Sequence, residues 1–251
     1  MKAKRHIPFS RITGKWTIGK KFVTQQDISI HRKYKGLVDS FQDYESQAFR
    51  VSCLHPSIID FYEHTDCYEL KAYIKWAMWF RPFAFIYRLF SYFIQQIHLS
   101  KGNRWERMYG EIVGIDSEKD GRDNIRAWIR ENEAGRTIFV ALYSSHRTNG
   151  ETYMNIALPL PFSNMTGILR AENQGENLIL TSVQREEGNG DEGIYLHSKR
   201  FTAPLPLAEK FYITVDKSTI RAHHNMWIFG LSFLQIDYLI SKEKSLSDFN
   251  K

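Results

Sequence analysis

The sequence predicts a β-dominated α+β protein, an antiparallel meander sheet or barrel packed by one long amphipathic helix. Three observations carry that reading. Ten short segments of strand character follow one another between residues 108 and 240, most of them separated by hairpin turn residues. Ten of the chain's 36 aromatic residues fall within the 21 positions from Tyr73 to Phe93. The seven prolines and 15 glycines of the 251-residue chain leave little room for a disordered linker, so one large domain is expected.

The candidate strands cover 109–115, 125–130, 137–144, 152–158, 166–171, 178–184, 193–201, 211–215, 220–227 and 233–240. Asp120-Gly121, Ala134-Gly135, Asn149-Gly150, Gln174-Gly175 and Asp216-Lys217-Ser218 supply turns between them. Gaps of hairpin length argue for neighbours in sequence pairing as neighbours in the sheet. Inside 137–144, Ile138, Val140 and Leu142 alternate with Phe139, Ala141 and Tyr143, so both faces of that strand are apolar. A sheet with one wet face alternates more cleanly, and both faces are therefore expected to be covered. The tripeptide Pro-Leu-Pro recurs at 159–161 and 204–206. Proline donates no ladder hydrogen bond, which places both units at sheet edges or crossovers.

Ahead of this region, Pro56 suits the first turn of a short helix, and 67–76 alternates as a strand, with Tyr68, Leu70, Ala72 and Ile74 against Glu69, Lys71 and Lys75. Pro82 then opens a helix expected to run to residue 98. Phe83, Ile86, Tyr87, Phe90, Phe93, Ile94 and Ile97 recur along it at helical spacing. Arg88, Ser91, Gln95 and His98 form a narrow polar strip opposite. Seventeen residues span about 25 Å, and Arg88 sits in the middle, so this helix falls short of the roughly 20 uncharged residues that cross a bilayer. Its apolar side can cover the sheet as core, line a pocket, lie on a membrane or stack on bases. The first of these is expected, with the helix sealing one face of the sheet. The last fits poorly, because the strands carry acids as freely as bases.

The net charge of +6 is uneven. Residues 1–35 hold ten Lys/Arg against the single acid Asp27, so that segment carries +9 and the rest sums to −3. Residues 1–48 read as a basic, partly ordered arm ahead of a single β-rich domain at 49–251. An arm of this kind is drawn to anionic lipid or, by the same Coulomb term, to nucleic acid, and it also reads as a solubilising terminus. The two cysteines, Cys53 and Cys67, form no CxxC pair, and the basic start has no apolar stretch behind it, which together suggest a cytoplasmic protein, peripheral to the membrane at most.

Catalytic signals are sparse. No GxSxG or phosphate-binding glycine loop is present. Gly188–Gly193 is flanked by Glu186 and Glu187, includes Asp191 and Glu192, and reads as an acidic hairpin tip. His55, His64 and Cys67 lack the spacing and the fourth ligand of a zinc site, so neither metal nor cofactor is expected. His223 and His224 point to opposite faces of one strand. His224 shares its side with Ile220, Ala222 and Met226, and is expected to face inward, where Asp237 could meet it across the Gly230 turn as an acid/base pair. His146 with Arg147 is a second such candidate.

The run FYEHTDCYELKAYIKWAMWFRPFAFIYRLFSYFIQQIHL and the ending RAHHNMWIFGLSFLQIDYLI resemble a family of uncharacterised bacterial proteins of similar length, through Trp79, Arg81, Pro82, Tyr87, Ser91 and Gln95. The resemblance covers the last three-quarters of the chain and implies no activity. The leading expectation is non-enzymatic binding of a hydrophobic or amphipathic ligand, in one version at an anionic membrane surface reached by the 1–35 arm. Trp79, Phe83, Tyr87, Arg88, Phe90, His224 and Asp237 are the candidate ligand-binding residues. The alternatives are an enzyme built on a His/Asp pair and an interaction protein without a small ligand.

Overall fold

A computed structural model describes residues 6–99, 102 and 104–242. Its strands are β1 (Tyr68–Trp76), β2 (Trp105–Gly114), β3 (Arg126–Asn132), β4 (Thr137–Thr148), β5 (Glu151–Leu160), β6 (Ser163–Gln174), β7 (Asn177–Thr181), β8 (Gly193–His197), β9 (Thr202–Pro204), β10 (Leu207–Asp216), β11 (Thr219–Ile228) and β12 (Leu231–Lys242). All ten expected segments contain a strand, the 193–201 segment being shortened to β8, with β9 lying just beyond it. The helices are α1 (Phe22–Gln25), α2 (Pro56–Glu63), α3 (Arg81–Ile94) and α4 (Ser117–Asp120).

Ten strands close into an antiparallel barrel in the order β1-β2-β3-β4-β5-β6-β7-β10-β11-β12, and β12 returns to β1 over nine residue pairs, Tyr68↔Lys242 to Trp76↔Leu234. Closure satisfies the edges that an open meander leaves exposed. Strands β8 and β9 lie outside the ring, with β8 paired to the Asn164–Ile168 stretch of β6. The Asn149-Gly150 turn joins β4 to β5 with φ of 52° and 81°, the two positive values that this hairpin type requires. The prolines of the repeat sit where ladders stop. Beyond Leu142↔Ala157 the β4–β5 pairing ends, leaving Pro159 without a strand on that side, and Pro204 belongs to the outermost strand.

Alternate residues point into the barrel, and most of them are apolar. Leu70, Ala72 and Ile74 of β1, Leu234, Ile236, Tyr238 and Ile240 of β12, and Ala141 and Tyr143 of β4 belong to one buried cluster. The outer faces of β1 and β10–β12 carry Glu69, Lys71, Lys75, Lys210, Arg221, His223 and Asp237. This polar exterior around an apolar interior is the reverse of a membrane-spanning barrel.

The chain treats the two ends of the barrel differently. At one end, residues 34–67 form a plug. Phe41, Phe49, Ile58, Phe61 and Tyr62 are buried there, and the segment is tied to the hairpins by His55 N–H to the Glu176 carbonyl and by Arg50 to Asn173 in both directions. The His55 imidazole accepts from the Ser57 N–H and caps α2. At the other end α3 crosses the barrel. The outer face of β3–β5 is covered by the N-terminal segment, whose Ile12, Ile18, Phe22, Val23 and Ile28 bury against Ile125, Ala127, Ile129, Val140, Leu142 and Ala157. That segment, not the aromatic helix, is what makes β4 apolar on both faces.

The helix differs from its expectation in two ways. It ends at Ile94, because Gln95 turns left-handed (φ 53°) and returns its N–H to the Ser91 carbonyl. It also does not pack its apolar side on the sheet. Ser91 is its one buried residue among those described, while Phe83, Phe85, Ile86, Leu89, Phe90, Tyr92 and Phe93 are 53–73% exposed.

Candidate functional site

A ten-stranded ring is wider than side chains fill, since eight strands already leave an interior that side chains just fill or that holds one small ligand. Here the lumen holds a cavity of about 640 Å³, within the range of roughly 300–1,000 Å³ usual for ligand pockets. Phe61, Tyr62 and Leu37 form its floor, and Phe80, Tyr87, Ile94 and Ile97 form its ceiling below α3. The wall is aliphatic and aromatic over most of its area, with Met154, Ile156 and Leu158 from β5 and Phe211 and Ile213 from β10.

Polar side chains interrupt it, among them Arg130, Tyr143, Glu209, His224 and Tyr238. His224 Nε2 lies 2.9 Å from Glu209 Oε2, and its ring stacks on Phe211 with centroids 3.7 Å apart. Glu209 can reach inward because β6 carries glycine opposite it. A Cβ on Gly167 would lie 2.5 Å from Glu209 Oε1. The Arg130 guanidinium lies over Trp128 at 3.4 Å, near Phe139 at 4.8 Å and beside Tyr238 at 5.8 Å. Burial pushes the Tyr143 hydroxyl up to about 12 and raises that of Tyr238, against the opposing pull of Arg130 on both, so the two phenols stay neutral donors. Strand β3 lies five places from β10 around the ten-stranded ring, so Arg130 and Glu209 stand on opposite walls.

At the α3 end, the ceiling is fixed by polar contacts in a gap of the barrel. The Gln96 side chain is fully buried. It donates 2.9 Å hydrogen bonds to the carbonyls of Val140 and Pro159 and accepts one at 2.8 Å from the Val140 N–H. It thereby bridges β4 and β5 where their own ladder has ended. His98 N–H bonds the Ile138 carbonyl, and its ring lies 3.1 Å from Ser91 Oγ. The outward side of the same end is apolar. Met78, Trp79, Phe83, Phe90 and Phe93 are joined by two hairpin-tip residues, Phe162 (58% exposed) and Phe229 (76%), and by Trp16 stacked edge-on against Phe162. Phe162 and Phe229 both have positive φ, 59° and 50°, a conformation that bulky side chains rarely adopt.

The sequence-predicted residues are thus dispersed. Tyr87 and His224 line the cavity. Trp79, Phe83 and Phe90 face outward, and Arg88 is half-buried. Asp237 does not meet His224. In the β11–β12 register it is opposite His223, on the outside of the barrel, where it binds His223 Nδ1 at 2.5 Å and Lys75 Nζ at 2.7 Å. Burial raises its carboxyl, but the Lys75 and His223 hydrogen bonds outweigh that and hold it below the usual range. The His224/Asp237 acid/base pair therefore does not exist. Reasoning from sequence missed Arg130 and Glu209.

A second polar group lies on the outer face, away from the lumen. His146 stacks on Tyr153 and bonds Asn155 and Asp191, and Asp191 also binds His6 at 2.8 Å. Asp191 and Glu192 are 2% and 1% exposed, so the loop read as an acidic hairpin tip turns its central acids inward, onto His6, His146 and Arg170. Arg147 points away, to the Gly150 carbonyl. Among the described residues no cluster of His, Cys, Asp and Glu is arranged to hold a metal ion, and no helix is long and apolar enough to cross a membrane.

No family model matches the chain, and no solved structure matches it. A curated relative from Bacillus subtilis (strain 168), the uncharacterized membrane protein YndJ, is 50% identical over 234 residues. Those residues are 93% of this chain and 43% of the relative, so the chain spans less than half of that protein. The likeness is to an uncharacterised bacterial protein, and the relative is longer than the similar length expected from sequence.

Proposed function

We propose that the protein binds a hydrophobic or amphipathic small molecule inside the barrel and exchanges it at a lipid surface. The observation that carries this reading is the apolar lumen of about 640 Å³, enclosed by ten strands, plugged by α2 and covered by α3. A cavity of that size and lining, left empty, forfeits the packing contacts that a protein interior normally has. An apolar guest restores them.

The lipid surface is supported by the α3 end of the barrel. Large apolar side chains of α3, two strained hairpin tips and Trp16 share that end, with the exposed bases Lys15, Arg81 and Arg136 at its border. Apolar tips beside cations suit an anionic bilayer interface. Among the described residues, the basic side chains of the N-terminal segment do not form one patch. Lys15 lies toward the α3 end beside the Gly14–Pro161 bridge, whereas Arg11 and Lys35 lie toward the α2 end through the Asp120 and Asp66 contacts. The α3 end is therefore the better membrane-facing surface. That the relative is called a membrane protein agrees with this reading.

Two measurements test it. Native mass spectrometry of the purified protein should show a retained apolar molecule, or uptake of one from detergent. Co-sedimentation should be stronger with anionic than with neutral vesicles. Retention of nothing, together with failure to take up any apolar compound, sinks the lumen reading. Absence of vesicle binding sinks the surface.

A further inference from the structure

Arg130 is out of place in this lumen. It is 7% exposed, and among the described residues none of the ion pairs formed by arginine includes it. Arginine cannot escape burial by losing its proton, so an unpaired buried guanidinium is a standing cost. Its surroundings show which part of it is open. Trp128 and Phe139 cover it as aromatic planes, whereas its hydrogen-bonding atoms lie along the edge. Tyr238 lies beside that edge, with its ring 5.8 Å from the guanidinium carbon, and Nε, fully buried, has no acceptor. The acid that shares the lumen, Glu209, is across the barrel and held by His224.

We propose that Arg130 is the head-group site for a single-chain anionic amphiphile, a long-chain carboxylate or its phosphate counterpart. This rests on the lumen-binding reading above and adds its polarity. The anionic head takes the open edge of Arg130 in charge-assisted hydrogen bonds. The chain fills the aliphatic remainder, against β5 and the Ile97 side of the ceiling. Glu209 on the opposite wall repels a second anion, so the head is directed to β3 and a neutral amphiphile has no such preference. Trp128 and Phe139 hold the guanidinium in place before the ligand arrives, which spares the binding step that ordering cost.

The test uses the full chain and displacement of the neutral dye Nile red by oleate, oleoyl lysophosphatidate, oleyl alcohol and methyl oleate at pH 8. Oleate, lysophosphatidate or both should bind ~10- to 100-fold more tightly than the two neutral compounds, and the pair of anions identifies which head is preferred. Arg130→Met should reduce the anions to the affinity of oleyl alcohol and leave oleyl alcohol unchanged. Equal affinity of oleyl alcohol and both anions for the unaltered protein overturns the proposal while leaving lumen binding intact. Failure of every compound, dye included, overturns both. Should Arg130→Met not fold, the unaltered protein with carboxyl-labelled oleate decides the matter by nuclear magnetic resonance. A carboxyl paired with Arg130 titrates below its value in neutral micelles, and one that is merely buried titrates above it.

Discussion

Phe229 offers a test in which stability and membrane contact should move in opposite directions. It occupies the first position of the Phe229-Gly230 turn between β11 and β12 with φ 50°, followed by Gly230 at 78°. That turn type favours Asn-Gly, and a left-handed L-residue costs about 1–2 kcal/mol. Phe229 is 76% exposed, so little folded-state contact offsets the strain. Phe229→Asn should raise stability by about 1 kcal/mol, read as a higher urea midpoint with an unchanged slope. On a bilayer the same side chain has most of its area left to bury. Three-quarters of the ~1.5–3 kcal/mol for a full phenylalanine weakens vesicle binding ~7- to 45-fold on substitution. Urea unfolding and vesicle co-sedimentation of one preparation measure both. A loss of stability would show that Phe229 packs against the protein, and unchanged vesicle affinity would show that this tip does not meet lipid. Either result refutes the reasoning.

The remaining predictions concern the lumen and its ceiling. Ala222 is buried on the cavity wall, so Ala222→Phe should fill open space, abolish Nile red uptake and leave the far-ultraviolet circular dichroism unchanged. In a solid core the same change would cost about 1–3 kcal/mol, and a loss of that size would argue against the cavity. Gln96→Ala removes three hydrogen bonds and leaves buried groups of Val140 and Pro159 unpaired. It should cost on the order of 3 kcal/mol, with exchange of the Val140 amide accelerated more than that of the β11–β12 ladder. Burial, with Arg88 and Arg136, holds the His98 imidazole below its usual range. The unfolded chain therefore takes up this proton near pH 6.5 while the folded chain resists it. Stability is greatest above pH 6.5 and falls as pH drops below it. His197, lowered by burial, acts with the same sign, so His98→Gln should flatten the urea-midpoint profile between pH 7.5 and 5 in part. An unaltered profile would remove His98 from the linkage.

The strands were legible because alternation and turn residues are local signals, and Asn149-Gly150 or Ala134-Gly135 mark hairpins without reference to the rest of the chain. Closure was not. It depends on β1 pairing with β12, strands separated by some 160 residues, and neither strand carries a mark of its partner. The N-terminal cover was illegible for a related reason: Ile12, Ile18, Phe22, Val23 and Ile28 follow no helical or strand period, and their burial is imposed by β3–β5. Of the lumen, Tyr87 and the inward His224 could be read. Arg130 and Glu209 looked like ordinary surface charge in RAWIREN and LAEKFYI. A signal was nevertheless present in the first of these. Ala127 and Ile129 make one face of β3 apolar, and Trp128 stands on the other, so with both faces covered the arginines beside Trp128 have to be buried.

The aromatic helix was misread on which side meets the protein, and the physical reason bears on function. A helix that stabilises a fold places its apolar stripe on the core and its polar strip in water. In α3 the arrangement is inverted. Ser91 is buried, His98 just beyond the helix bonds it, and Gln96 enters the β4–β5 gap, so polar residues at and after the C-terminal turn do the anchoring. The anchor is polar because unpaired β4 and β5 backbone groups require hydrogen-bonding partners, which an apolar stripe cannot supply. Most of the apolar stripe, including Phe83, Ile86, Phe90 and Phe93, is then left outward, where it adds little to folding. The same helix carries Tyr87 and Ile94 on the ceiling of the cavity. On the proposed reading, the element that meets lipid is therefore also the one that covers the lumen.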